Sequence, residues 1–212
     1  MAHNLNYNER TGRYSFFSVQ KKPWHNLGQI VEQYPTSAEA IRYAGLDFEV
    51  IKSPLYTHNN EISISDNGEI KEGDSILLPD NFATMRTDTN MVLGVVGKDY
   101  QIVQNADAFS FFDAIVGGGD GILYETAGAL GNGERIFITA KLPDYIRVGN
   151  GDDITEKYIF LTTSHDGTGS ITAAFTPVRV VCQNTLNAAL SNMSNVIRIR
   201  HTSGAKQRLE NA

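Results

Sequence analysis

The chain has 212 residues, 41% hydrophobic and 20% charged, close to ordinary globular usage, so wholesale disorder and a fibrous class are excluded. A net charge of −6 argues against a simple polyanion binder, and the lone cysteine, Cys182, excludes an internal disulfide and a zinc site built on several thiolates. No basic segment leads into an apolar stretch near Met1, and nowhere do about 18 apolar residues run together, so a reducing, cytoplasmic setting without a membrane partner is expected.

Residues 1–35 lack clear periodicity. Their aromatics (Tyr7, Tyr14, Phe16, Phe17, Trp24, Tyr34) sit among polar and turn residues, which predicts an arm packed on a body formed by 36–212. Thr36-Ser37-Ala38-Glu39 has capping-box spacing and opens a short helix that Gly45 stops. From Phe48 to Ala174 strands broken by turns dominate. Ile62 and Ile64 alternate with serines before Asp66-Asn67-Gly68, which predicts a two-residue hairpin turn with positive φ at both central residues. Further strands are expected over 83–86, 91–96, 123–129, 134–142, 157–163 and 171–175, separated by turns such as Gly131-Asn132-Gly133 and Asp166-Gly167-Thr168-Gly169.

Two helices interrupt this pattern. One starts at Asn105 and runs through Phe109, Phe112 and Ile115 to Gly117, and the other starts at Asn184 or Thr185 and runs to Met193. Val196 to Arg200 alternates like a strand, and Ser203 caps a last helix that is barely begun before Ala212, an abrupt end that suggests something is missing. The fold class is therefore α+β, a largely antiparallel meander with two or three short helices packed on it. Met91–Asn105 and Ser170–Asn184 share a strand-turn-strand-helix order ending in Gln-Asn, which suggests a duplicated unit or one capping solution used twice.

Charge is unevenly placed. Residues 1–25 carry a net +3, residues 179–212 a net +4, and the centre −13. A helix start at Asn184 and Thr185 beside Arg179 can hold a phosphate; equally, Asn184 caps the helix while Arg179 pairs with a carboxylate. Cys182 is either a nucleophile activated by His165 or His201, or apolar packing in its Val-Val-Cys setting. Ser164-His165-Asp166 is a metal or phosphate turn, or a plain hairpin; no spacing amounts to a metal motif, so no metal or cofactor is expected. Trp24, flanked by Lys21 and Lys22, either stacks on a nucleobase or anchors the arm through its apolar area. Gly117 to Gly121 lacks the residues of a phosphate-binding P-loop and reads as a connection. Arg198, Arg200, His201, Lys206 and Arg208 form a basic tail whose strand sets Arg198 and Arg200 on one side, with Val196 absent from it.

Pro23-Trp24-His25-Asn26-Leu27-Gly28, Leu93 to Tyr100 with Gln104-Asn105, Glu125 to Leu130, Ser164 to Gly167, Arg179 to Leu186 and Arg200-His201, taken as an ordered set over residues 14 to 201, resemble the phage/plasmid-like protein family, domain of unknown function 932. The resemblance implies a gene of mobile elements and a body, 36–212, that lacks a further C-terminal helical part, and it transfers no catalytic residues. The leading expectation is a non-enzymatic module binding nucleic acid, single-stranded by preference, in replication, recombination or defence. Alternatives are an enzyme on a nucleotide or phosphoester using Cys182, His165, Asp166 and Arg179, and a module whose acidic centre contacts a host protein. Everything in the leading reading depends on the two basic ends meeting on one face.

Overall fold

A computed structural model describes residues 3–59, 63–71, 73–116, 123–147 and 154–211. In chain order the elements are β1 (Tyr7–Asn8), β2 (Arg13–Tyr14), β3 (Phe16–Val19), β4 (Gln29–Val31), α1 (Ser37–Tyr43), β5 (Val50–His58), β6 (Ser63–Ile64), β7 (Ile70–Lys71), β8 (Ser75–Arg86) and β9 (Val92–Gly97). There follow α2 (Asn105–Val116), β10 (Leu123–Leu130), β11 (Arg135–Arg147), β12 (Ile154–Ser164), β13 (Ile171–Thr176), α3 (Gln183–Ser191), β14 (Ser194–Ile199) and α4 (Ala205–Glu210). The α+β class holds. Strands β10 to β14 are an antiparallel meander, extended by β3 and then β4 into a seven-stranded sheet ordered β14-β13-β12-β11-β10-β3-β4; only the β3–β4 pair is parallel.

Alternation along the meander creates two cores, one on each face. Ile136, Ile138 and Ala140 of β11 and Ile159 and Leu161 of β12 point to the face covered by α1, α2 and α4. Phe137 and Phe160 point to the other face, where α3 supplies Leu186 and Ala189 behind Val180, Val181 and Cys182. The first 35 residues are woven into this sheet rather than laid on it. All four residues of β3 are buried, so β3 has no solvent face to produce an alternating pattern.

Local chemistry sets the element ends. Thr36 caps α1 with the expected reciprocal box, Glu39 accepting from the Thr36 amide at 2.9 Å, and Gly45 takes φ +62 just beyond it. The β6–β7 hairpin differs from expectation: Gly68 alone has positive φ, and the Ser65 amide donates to Glu69 O across a wider loop. Helix α3 starts earlier than expected. Cys182 is its N-cap, and the Thr185 hydroxyl accepts from the Cys182 amide at 2.9 Å. Half-buried Gln104 and buried Asn105 are linkers: the Gln104 amide exchanges both hydrogen bonds with the Val50 backbone, and Asn105 donates to Leu46 O. Gln183 and Asn184 have no such role, and β9 and β13 lie in different sheets, so the two windows share order but not environment. The Gly117–Gly121 connection lies outside the described residues. Among the described residues no helix is long and apolar enough to cross a membrane.

Candidate functional site

The N-terminal hairpin is tied down by a buried cation. Asn8 turns the chain by accepting from the Arg10 and Thr11 amides, while Asn6 donates to Gly131 O and accepts from Ser15 Oγ. Arg86, 2% exposed, donates through Nε and Nη2 to Asp88 and through Nη1 to Asn6 Oδ1 and Asn132 O. Its guanidinium lies 3.8 Å from the centroid of Phe48. Burial pushes the Asp88 carboxyl up, but hydrogen bonds and charge from Arg86 outweigh this and hold it below the usual range.

Between this hairpin, the start of β4 and the C-terminal end of α1 lies an open cleft of about 970 Å³. Arg10, Arg13 and Arg42 line it, together with Tyr14 and Tyr43; its carboxylates are Asp47 and Asp88, of which Asp88 already serves Arg86. No carboxylate forms an ion pair with the three arginines among the described residues.

A row of rings runs out of this cleft. Tyr7 lies 5.0 Å from Tyr14, Tyr14 6.1 Å from His3, His3 5.9 Å from His25, and His25 5.4 Å from Trp24. Both ends of the row face solvent, Tyr7 at 49% exposure and Trp24 at 62%. Trp24 therefore does not anchor the arm. That work falls to buried Pro23 and to His25, whose Nδ1 accepts from the Leu27 amide, leaving Nε2–H to donate to Val181 O at 3.1 Å. Gly28 closes the loop at φ +81, with no room for a Cβ against Phe16. Lys21 and Lys22 flank Trp24; Lys21 also reaches Glu156 at 3.4 Å, at the surface.

The other candidates are dispersed. Arg179 donates to Glu125 at 2.6 Å and to Ser18 Oγ at 2.7 Å, and the Gln183 amide at the start of α3 donates to His3 O. Asn184 faces solvent within the first turn, so Arg179, Asn184 and Thr185 do not frame an open anion pocket. Cys182 is fully buried in the α3-side core. His165 is also fully buried, its Nε2–H donating to Asn105 Oδ1 at 2.9 Å, and burial followed by the nearby His201 lowers its pKa to about 4. Arg179 meets the sheet beside the Tyr158 end of β12 and His165 follows the Ser164 end, six residues and roughly 20 Å away. Cys182, His165 and Arg179 do not converge. Asp166 accepts from the Thr168 amide and hydroxyl in a turn, and among the described residues no group of three or more His, Cys, Asp or Glu could hold a metal.

The basic tail divides in the same way. Lys206 pairs with Asp107 at 2.9 Å, and Arg208 donates to the carbonyls of Ser203 and Arg200 and to Thr202 Oγ1. His201 is buried and stacked on Tyr100, Nδ1–H donating to Gln101 O while Nε2 accepts from Thr163 Oγ1. Arg198 and Arg200 are exposed, on the side of β14 that also presents Val196, contrary to expectation. Arg200 borders a second groove of about 650 Å³ where Lys98 pairs with Asp80 and Asp99 adds a further carboxylate. Because β14 and β4 are opposite edges of the sheet, these arginines lie about 29 Å in strand spacing from the arm. The two basic ends do not meet.

Sequence reasoning missed Arg42 and His3, and read His25 as part of the Pro23 to Gly28 motif rather than of a ring row. Arg42 is signalled only as the cation in the last turn of α1. Fold and site together define a two-core α+β protein with an aromatic, arginine-bordered arm. Residues 92–212 match the family model described as Domain of unknown function (DUF932), and the chain belongs to that family. The arm and all lining residues of its cleft lie outside the matched segment. No curated protein and no solved structure matches the chain.

Proposed function

We propose that the chain is a non-enzymatic module that binds single-stranded nucleic acid through its arm, in the replication, recombination or defence of a phage or plasmid. The observation that carries the reading is the row of five rings, solvent-facing at both ends, that meets at Tyr14 the cleft lined by Arg10, Arg13 and Arg42. Single-strand binders combine a basic groove that tracks phosphates with aromatic faces on which bases stack. The arm supplies both, and neither depends on the net charge of −6, because attraction is local once the Debye length is about 8–10 Å. The mobile-element context comes from the resemblance of the ordered motifs.

The test is fluorescence anisotropy with labelled single-stranded and duplex oligonucleotides. Three phosphate contacts on a single strand predict a logarithmic salt slope of about −2, or affinity falling roughly tenfold to twentyfold between about 50 and 200 mM salt. Arg10→Ala with Arg13→Ala lowers affinity and flattens that slope; Trp24→Ala costs roughly tenfold with the slope unchanged. Absence of binding to either oligonucleotide at low salt rejects the proposal.

A further inference from the structure

Strand β9 pairs with β8 only as far as Asn81. Beyond it β5 and β8 continue alone, Leu55–His58 against Ser75–Leu78, as a ribbon that leads to the β6–β7 hairpin. An isolated two-stranded ribbon is marginally stable in water. This one nevertheless leaves the cross-strand partners Tyr56 and Leu77, which share one face, 58% and 51% exposed, with Ile76 at the surface of the opposite face and Ile64 71% exposed in the hairpin beyond. An exposed Tyr56–Leu77 pair on so thin an element, continued by Ile64 in its hairpin, marks an interaction surface rather than scattered surface apolarity.

The ribbon segment is also strongly acidic. Residues 55–80 hold six acidic residues against a single cation, Lys71; of the described ones Asp66, Glu69 and Asp74 are exposed on the ribbon and its hairpin, while Asp80 pairs with Lys98. The arm presents the converse, with Tyr7, Trp24 and Ile30 exposed among Arg10, Arg13 and Lys22. The same polypeptide therefore carries an acidic apolar projection and a basic aromatic cleft, and within one copy the ribbon's apolar residues face solvent.

We propose that the ribbon of one copy docks in the arm cleft of a second copy of this chain, apolar side chains against the ring row and carboxylates against the arginines. The contact joins two different surfaces, so it is head-to-tail and propagates into a filament or closes into a ring. It stands on the charge and apolar complementarity of ribbon and cleft, not on nucleic acid occupying the cleft; where the single-strand reading also holds, oligonucleotide and ribbon compete.

Size-exclusion chromatography with light scattering, on the full chain at micromolar and near-millimolar concentrations, tests this. Wild type gains mass with concentration at low salt and returns to monomer at high salt. A ribbon variant (Glu69→Gln, Asp74→Asn, Leu77→Ala) and a cleft variant (Arg10→Ala, Arg13→Ala) are each monomeric, and none of the five residues is a hydrogen-bond partner of Arg86, so far-UV circular dichroism stays that of wild type. Mixed one to one, the two variants form a heterodimer and nothing larger, because only one intact ribbon and one intact cleft remain. A wild type that stays monomeric, or a ribbon variant that associates like wild type, overturns the inference. Oligonucleotide binding separates the two ideas: a monomeric chain that still binds single strands leaves the nucleic-acid reading standing and removes this one.

Discussion

Arg86 shows why a charged residue can be central to a fold and invisible to sequence patterning. From the sequence it is the last residue of a short strand, with Asp88 in the turn that follows; nothing local signals that Asn6 and Asn132 arrive from 80 and 46 residues away. A buried cation deprived of partners, or partners deprived of the cation, costs about 3–5 kcal/mol. Arg86→Met is therefore expected to lose stability of that order in urea unfolding, and to loosen the arm that Asn6 holds. His165 gives a pH signature. Its folded pKa, about 4, lies below the unfolded value of 6.5, so the unfolded chain binds the proton first and stability falls as pH drops from 6.5 to about 4. The loss is about 3 kcal/mol, and burial lowers His201 and His25 in the same direction. His165→Gln flattens the dependence of the urea midpoint on pH in that window; an unchanged slope contradicts the assignment.

At the scale of elements, what was legible had a repeating signal. The capping box of α1, the meander β10 to β13 and the apolar spacing of α2 all follow from period and turn residues. Strand β3 was missed because Phe16 to Val19 is buried on both faces, and a strand without a solvent side does not alternate. Of the two readings of Trp24, anchoring through its apolar area fails, because Pro23, His25 and Gly28 fix its loop and leave the indole outside. Gly28→Ala places a Cβ 2.5 Å from Phe16 O at a φ of +81, which displaces the loop. The variant should bind oligonucleotide as weakly as Trp24→Ala while the sheet's unfolding midpoint falls only modestly.

At the scale of the molecule, sequence showed that both ends are basic but not where they go. Sheet order decides that. The chain begins at the β3–β4 edge and returns at β14, so Arg198 and Arg200 cannot join Arg10 and Arg13 on one surface. Lys206, Arg208 and Arg179 are spent on holding α4, the turn before it and the loop over β3. The polyanion reading therefore rests on the arm alone. Trp24 is the only tryptophan, so its emission reports on that arm and nothing else. Titration with single-stranded oligonucleotide at low salt should quench the emission, with recovery on adding salt; emission unmoved by excess oligonucleotide would contradict stacking on the arm and the account built on it.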